Sequence, residues 1–170
     1  LLGEKRIVSA NLKLDPSSGK TKSDVSAVAL VLQDENGKLY WHRSVALTGE
    51  IAVTDDKGQI IGGQAYQLAD IVEEFKLPSI IVETNGIGGH VPSILRSVFK
   101  KRNIYCGVRE LHETQNKNKR ILGTLEAPLL SGYLYAHQSV LQVNGTDSPQ
   151  VKEMRLFDPS VTNNKDDYVD

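Results

Sequence analysis

Ile80-Ile81-Val82 is an uninterrupted apolar run set between Pro78 and Glu83. Such a run leaves no polar face for solvent, so the segment reads as a central strand covered on both faces. A strand of that kind needs helices packed on its sheet, and the neighbouring sequence supplies them. Leu68, Ile71, Val72 and Phe75 have the spacing of an amphipathic helix over Tyr66 to Phe75. A second helix is expected over Val91 to Lys101, with Pro92 in its first turn and Lys100, Lys101 and Arg102 at its end, where the helix dipole favours cations.

Upstream, three β-prone stretches follow one another. Arg6 to Leu14 alternates and ends at Asp15, and Pro16 to Ser23 is a polar loop. Val25 to Gln33 is a second strand, and Asp34-Glu35-Asn36-Gly37 carries an Asn-Gly turn leading into a third, Lys38 to Leu47. These make an antiparallel meander. Thr48 to Gly63 reads as irregular, with a turn at Asp55 to Gly58. Downstream of the second helix come a strand over Ile104 to Val108 and a helix over Lys119 to Gly132 that Pro128 should kink. Then follow a short edge strand within Leu134 to Leu141, helical turns over Val151 to Phe157, and the acidic start of a helix at Asp166. The order predicts an α/β fold with a mixed sheet, three antiparallel strands and then parallel ones, flanked by helices. No internal repeat or linker divides the 170 residues, so a single domain is expected.

With 39% hydrophobic and 24% charged residues the composition is that of a soluble globular protein. No apolar run approaches the roughly 20 residues of a membrane span, and no signal peptide opens the chain. The first residue is Leu1 rather than Met, which points to a piece of a longer protein. Cys106 has no second cysteine to pair with, in keeping with a cytosolic setting. The net charge of −1 does not advertise a nucleic-acid binder, but carboxylates gathered around metal ions lower the formal charge by themselves.

Acidic residues fall at telling places. Asp15 ends the first strand, Glu83 closes the buried one, and Asp166, Asp167 and Asp170 crowd the start of a terminal helix. A carboxylate directly after a buried apolar strand is costly unless something positive meets it. Clustered carboxylates repel one another and persist best around divalent cations. Oxygen ligands without a Cys-His pattern favour Mg²⁺ or Mn²⁺, and two such ions suit phosphodiester hydrolysis. The bland readings are a turn opener for Asp15 and dipole compensation for Asp166; Glu83 is singly the most informative.

Gly19-Lys20-Thr21 is not a phosphate loop, because position 14, where the motif needs a first Gly, is Leu. Asn144-Gly145-Thr146 matches a glycosylation acceptor but lacks a secretion signal. Lys100-Lys101-Arg102 reads as a solvated helix end. Lys117, Lys119 and Arg120 enter a helix from a polar loop, and Lys20 and Lys22 flank Asp15; both groups are candidates for contact with DNA phosphates. Of four scattered histidines, His112 is the one placed to assist a water.

Leu14-Asp15-Pro16-Ser17-Ser18-Gly19 through Ser23-Asp24-Val25-Ser26-Ala27 resembles the opening motif of tailed-phage large-terminase nuclease domains. Ile81-Val82-Glu83-Thr84-Asn85-Gly86-Ile87-Gly88 resembles their second motif, Asn118-Lys119-Arg120-Ile121 a later basic stretch, and Lys165-Asp166-Asp167-Tyr168-Val169-Asp170 the closing acidic motif. No single motif is specific, but four in order are. The resemblance implies an RNase H-like fold and an endonuclease with two Mg²⁺ or Mn²⁺ ions, cutting double-stranded concatemeric viral DNA during genome packaging. It implies that Asp15 is shared by both metals, and that Glu83 and Asp167 each hold one more closely. Asp24 and Asp170 would be auxiliary ligands, with the choice between Asp166 and Asp167 favouring Asp167 for its three-residue spacing to Asp170. It further implies an ATPase domain outside this chain, a small subunit and a portal as partners of the full-length protein, and the host cytoplasm as its place of action; the domain alone is expected to be a monomer. Two other classes remain open: a different RNase H-like enzyme, such as a junction resolvase or ribonuclease, and a non-catalytic DNA-binding or assembly module.

Overall fold

A computed structural model describes residues 3–17 and 25–161. The first strand, β1, runs over Ile7–Asp15, β2 over Ser26–Asp34 and β3 over Leu39–Leu47. Two short strands, β4 (Val53–Thr54) and β5 (Ile60–Gly62), pair antiparallel before helix α1 (Gln64–Phe75). Strand β6 (Ser79–Glu83), a 3-10 turn at Gly86–His90, helix α2 (Val91–Lys101) and strand β7 (Gly107–Leu111) follow. Helix α3 (Lys117–Leu130) leads to β8 (Leu134–Ala136) and α4 (Gln138–Leu141). A small antiparallel pair, β9 (Gln142–Val143) and β10 (Thr146–Asp147), and helix α5 (Pro149–Leu156) complete the described chain.

Six strands form one sheet in the order β7-β6-β1-β2-β3-β8. The β1-β2-β3 meander is antiparallel, and β6, β7 and β8 each join the sheet in parallel pairs, so the mixed sheet expected from the pattern is present.

The chain gathers into two compact units. One holds residues Asn11–Val28 and Val45–Glu113. Its core is Leu12, Leu14, Val28, Ile80 and Val82 from the strands with Leu68, Val72, Leu95, Val98 and Phe99 from α1 and α2, all buried. Helix α2 has the expected start at Pro92 and its cations in the last turn. Arg102, just after it, pairs with Asp70 at 2.7 Å and with Glu73, so this cation ties α2 to α1 rather than standing in solvent.

The other unit holds Leu1–Ala10, Ala29–Ser44 and Thr114–Asp170. In it the β2–β3 turn is built on Asp34, which is 1% exposed. The Asp34 carboxylate accepts hydrogen bonds from the main-chain N–H of Asn36 and Lys38 and from the Tyr40 hydroxyl, each at 2.9 Å. Burial pushes this carboxyl up, but the hydrogen bonds from Tyr40, Lys38 and Asn36 outweigh it and hold Asp34 below the usual carboxylate range. Burial and the bond to Asp34 raise the Tyr40 hydroxyl in turn.

Several boundaries differ from the sequence reading. The strand expected over Ile104 to Val108 forms over Gly107–Leu111, because Asn103 adopts a left-handed conformation (φ 57°) and Ile104 N–H closes the α2 terminus on Phe99 at 2.8 Å. Helix α3 starts two residues earlier than expected, capped by the Asn116 side chain on Lys119 N–H at 3.3 Å, and Pro128 lies inside it. Only Leu134–Ala136 of the expected edge stretch is strand, since His137 caps α4 immediately afterwards. Thr48 to Gly63, read as irregular, contains the β4–β5 pair around the Asp55 turn. Asn144-Gly145 is a second Asn-Gly hairpin turn, both residues at positive φ, where the sequence reading weighed only a glycosylation match.

Candidate metal centre

The site is set by β1 and β6, neighbours that run parallel. Lys13 pairs with Ile81 and Leu14 with Val82. One step further along the same ladder the two strands end, on Asp15 and on Glu83. Side chains alternate along a strand, so Lys13, Asp15, Ile81 and Glu83 share one face while Leu14 and Val82 fill the core on the other. The carboxyl ends of adjacent parallel strands are where open α/β sheets place their ligands.

Glu83 is held firmly. Only 8% of the residue is exposed, and β7 flanks its strand, with Leu111 as its ladder partner. Thr84 donates to the Leu111 carbonyl from both its N–H (2.9 Å) and its hydroxyl (3.2 Å). The Asn85 amide clamps Glu113, donating to its carbonyl at 2.8 Å and accepting from its N–H at 3.0 Å. The glycine-containing turn then folds back on the strand end. A β-carbon on Gly88 would stand 2.2 Å from the Glu83 carbonyl oxygen and 3.1 Å from Cγ of Pro16. Gly88 therefore lets the turn lie against the ends of β1 and β6 together.

The Glu83 carboxylate is poorly satisfied for its depth. Its Oε2 is buried and forms no hydrogen bond, and the Lys13 ammonium lies 3.1 Å from it as an ion pair. The Lys13 ammonium lies on a strand face that also carries two carboxylates, Asp15 and Glu83. A buried carboxylate oxygen without a hydrogen bond, beside a second acid at the matching strand end, fits a hard divalent cation. Asp15 and Glu83 are the described residues that would hold it. Among the described residues no three acidic, histidine or cysteine side chains cluster as a metal site.

Of the residues expected in the site, the structure brings Asp15 and Glu83 side by side. Asp24, Asp166, Asp167, Asp170, Lys20 and Lys22 lie outside the described residues. Both ends of the loop bearing Lys20, Lys22 and Asp24 are nonetheless fixed. Ser17 N–H donates to Ser26 Oγ at 2.8 Å, and Ser26 bonds to the buried Gln64, whose amide donates to the Gly49 carbonyl at 2.7 Å. Lys117, Lys119 and Arg120 occupy the first turn of α3. Beside them the Asn118 amide donates to the carbonyls of Pro159 (3.1 Å) and Val161 (2.7 Å), which fixes the chain just before the closing acidic motif. His112 is exposed, directly after β7. Burial pushes the Cys106 thiol up to about 11, so the thiol is protonated at neutral pH.

The sequence reading missed Lys13, Asn85 and Gly88 as supports of the site. Lys13 had a signal: it sits two residues before Asp15 in an alternating strand, on the face opposite Leu12 and Leu14. Asn85 and Gly88 act through backbone contacts that spacing does not reveal.

Residues 14–134 match the family model described as Terminase Bacteriophage T7, Ribonuclease H-like domain. No curated protein sequence matches the chain. Among solved structures, the yeast mitochondrial Holliday junction resolvase Ydc2 is similar over 79% of this chain and 68% of its own, at 14% identity and a TM-score of 0.48. A mutant nuclease domain of the large terminase subunit gp2 of bacterial virus Sf6, with manganese and beta-thujaplicinol, is similar over 68% of this chain and 42% of its own, at 12% identity and a TM-score of 0.42.

Proposed function

The chain belongs to the T7-type terminase family of ribonuclease H-like domains, and from that premise we propose that it is a metal-dependent endonuclease acting on double-stranded DNA. Its substrate would be concatemeric viral DNA, cut during genome packaging, with the terminase small subunit and the portal as partners of the full-length protein in the host cytoplasm. The observation that carries the reading is the pairing of Asp15 and Glu83 at the ends of adjacent parallel strands, Glu83 with a buried oxygen that lacks a hydrogen bond. Mg²⁺ or Mn²⁺ ions bound there, two in number, would activate a water and stabilise the leaving oxygen.

The chain's own residues have distinct tasks in this reading. Asp15 and Glu83 present carboxylate oxygens from rigid strand ends, and Asp167, with Asp24, Asp166 and Asp170 as auxiliary acids, completes the set from the terminal motif. Lys117, Lys119 and Arg120 contact backbone phosphates, joined by Lys20 and Lys22 near the scissile strand. The α3 cations have independent support. Three positive charges in a helix's first turn oppose the helix dipole, so the dipole does not account for them.

Plasmid cleavage with Mg²⁺, Mn²⁺ or EDTA tests the proposal. Wild type should nick or linearise the plasmid only with metal, and Asp15→Ala and Asp167→Ala should each lower the rate by about a hundredfold or more. Cleavage in EDTA, or full activity in either variant, rejects the assignment. A junction resolvase would instead prefer four-way junctions over linear duplex in a substrate panel.

A further inference from the structure

We propose that Lys13 is a positioning residue whose ammonium stands in for a divalent cation on Glu83 and sets the cation concentration at which the site fills. The inference rests on the reading of Asp15 and Glu83 as a metal centre.

The geometry around Glu83 carries it. Lys13 Nζ lies 3.1 Å from Oε2, the oxygen that is buried and lacks a hydrogen bond. A buried carboxylate is costly without a countercharge, and Lys13 supplies one from the adjacent strand on the same face as Asp15. The ammonium and a doubly charged ion cannot both sit against that oxygen, because each repels the other at short range. One of the three groups must then move when the ion binds. Glu83 is fixed by the β6–β7 ladder and by the close approach of Gly88 to its carbonyl. The lysine carries its charge on a flexible stem, and its side chain is 26% exposed against 11% for Glu83, so Lys13 has the route toward solvent. Each filling of the site by metal therefore displaces the ammonium, and the work of that displacement weakens metal binding while protecting the empty site from its own charge.

The test is Mn²⁺ titration by calorimetry of the full chain, together with thermal unfolding with and without Mn²⁺, for wild type, Lys13→Met, Lys13→Arg and Glu83→Gln. Lys13→Met should bind Mn²⁺ about tenfold more tightly, equivalent to about 1.4 kcal/mol. It should also unfold at a lower temperature than wild type without metal and recover the difference when Mn²⁺ is added. Lys13→Arg, which keeps the charge, should track wild type. A purely structural lysine would differ in the binding arm of Lys13→Met: lower stability with unchanged or weaker Mn²⁺ binding. That result, with wild-type binding still weakened by Glu83→Gln, overturns the role of Lys13 and leaves the metal centre standing. Wild type that binds no Mn²⁺, or binds it equally with Glu83→Gln, overturns both.

Discussion

A β-carbon at Gly88 would collide with the Glu83 carbonyl oxygen at 2.2 Å, a backbone contact that no rotamer change relieves. Gly88→Ala must therefore shift either the turn or the end of β6. It should cost about 2–3 kcal/mol in urea unfolding, at the upper end of ordinary point mutants, and lower cleavage because Glu83 moves with its strand. A variant with wild-type stability and activity would show that the turn does not brace the site. Asp34 offers a pH prediction. Its carboxyl is held below the ordinary range, so it stabilises the fold above about pH 4, the unfolded value, and that contribution is lost as pH falls through the lower folded value. Asp34→Asn should be less stable at neutral pH and show a flatter decline in acid, measured as urea midpoints from about pH 5 to pH 2. Parallel acid limbs for the two proteins would count against the role of this carboxylate.

At the scale of elements, helix α3 invites the clearest experiment. Each phosphate neutralised by a cation contributes about 0.9 to the slope of log affinity against log salt on duplex DNA. Changing Lys117, Lys119 and Arg120 together to Gln should reduce that slope by roughly 2–3, and an unchanged slope would remove α3 from the DNA contact. Ile80-Ile81-Val82 announced a strand covered on both faces; the strand formed with Ile80 and Val82 fully buried on one face, while Ile81 on the other, which also carries Lys13, Asp15 and Glu83, is half-buried. Asp15 and Glu83 were legible because a strand end is marked by its composition. Their adjacency was not, since parallel pairing of β1 with β6 joins segments separated by about 65 residues of intervening chain, and hydrophobic period says nothing about partner choice. The late start of β7 was hidden for another reason: Ile104 and Tyr105 look β-prone, but Ile104 closes the α2 terminus and Tyr105 is 95% exposed.

For the molecule as a whole, a net charge of −1 makes local arrangement matter more than the total. The acids cluster at strand ends and in the closing motif, and cations stand at the start of α3 and in the loop after Asp15. Among the described residues no helix is long and apolar enough to cross a membrane. A ligand that binds only the folded chain raises its stability by mass action, so a metal centre couples the site to the entire fold. The most direct measurement is anomalous scattering from crystals of this chain soaked in Mn²⁺. The expected result is manganese bonded to carboxylate oxygens of both Asp15 and Glu83, with the Lys13 ammonium withdrawn from Glu83. Crystals in which manganese occupies other sites, or none, while Lys13 remains against Glu83 would contradict the metal centre itself.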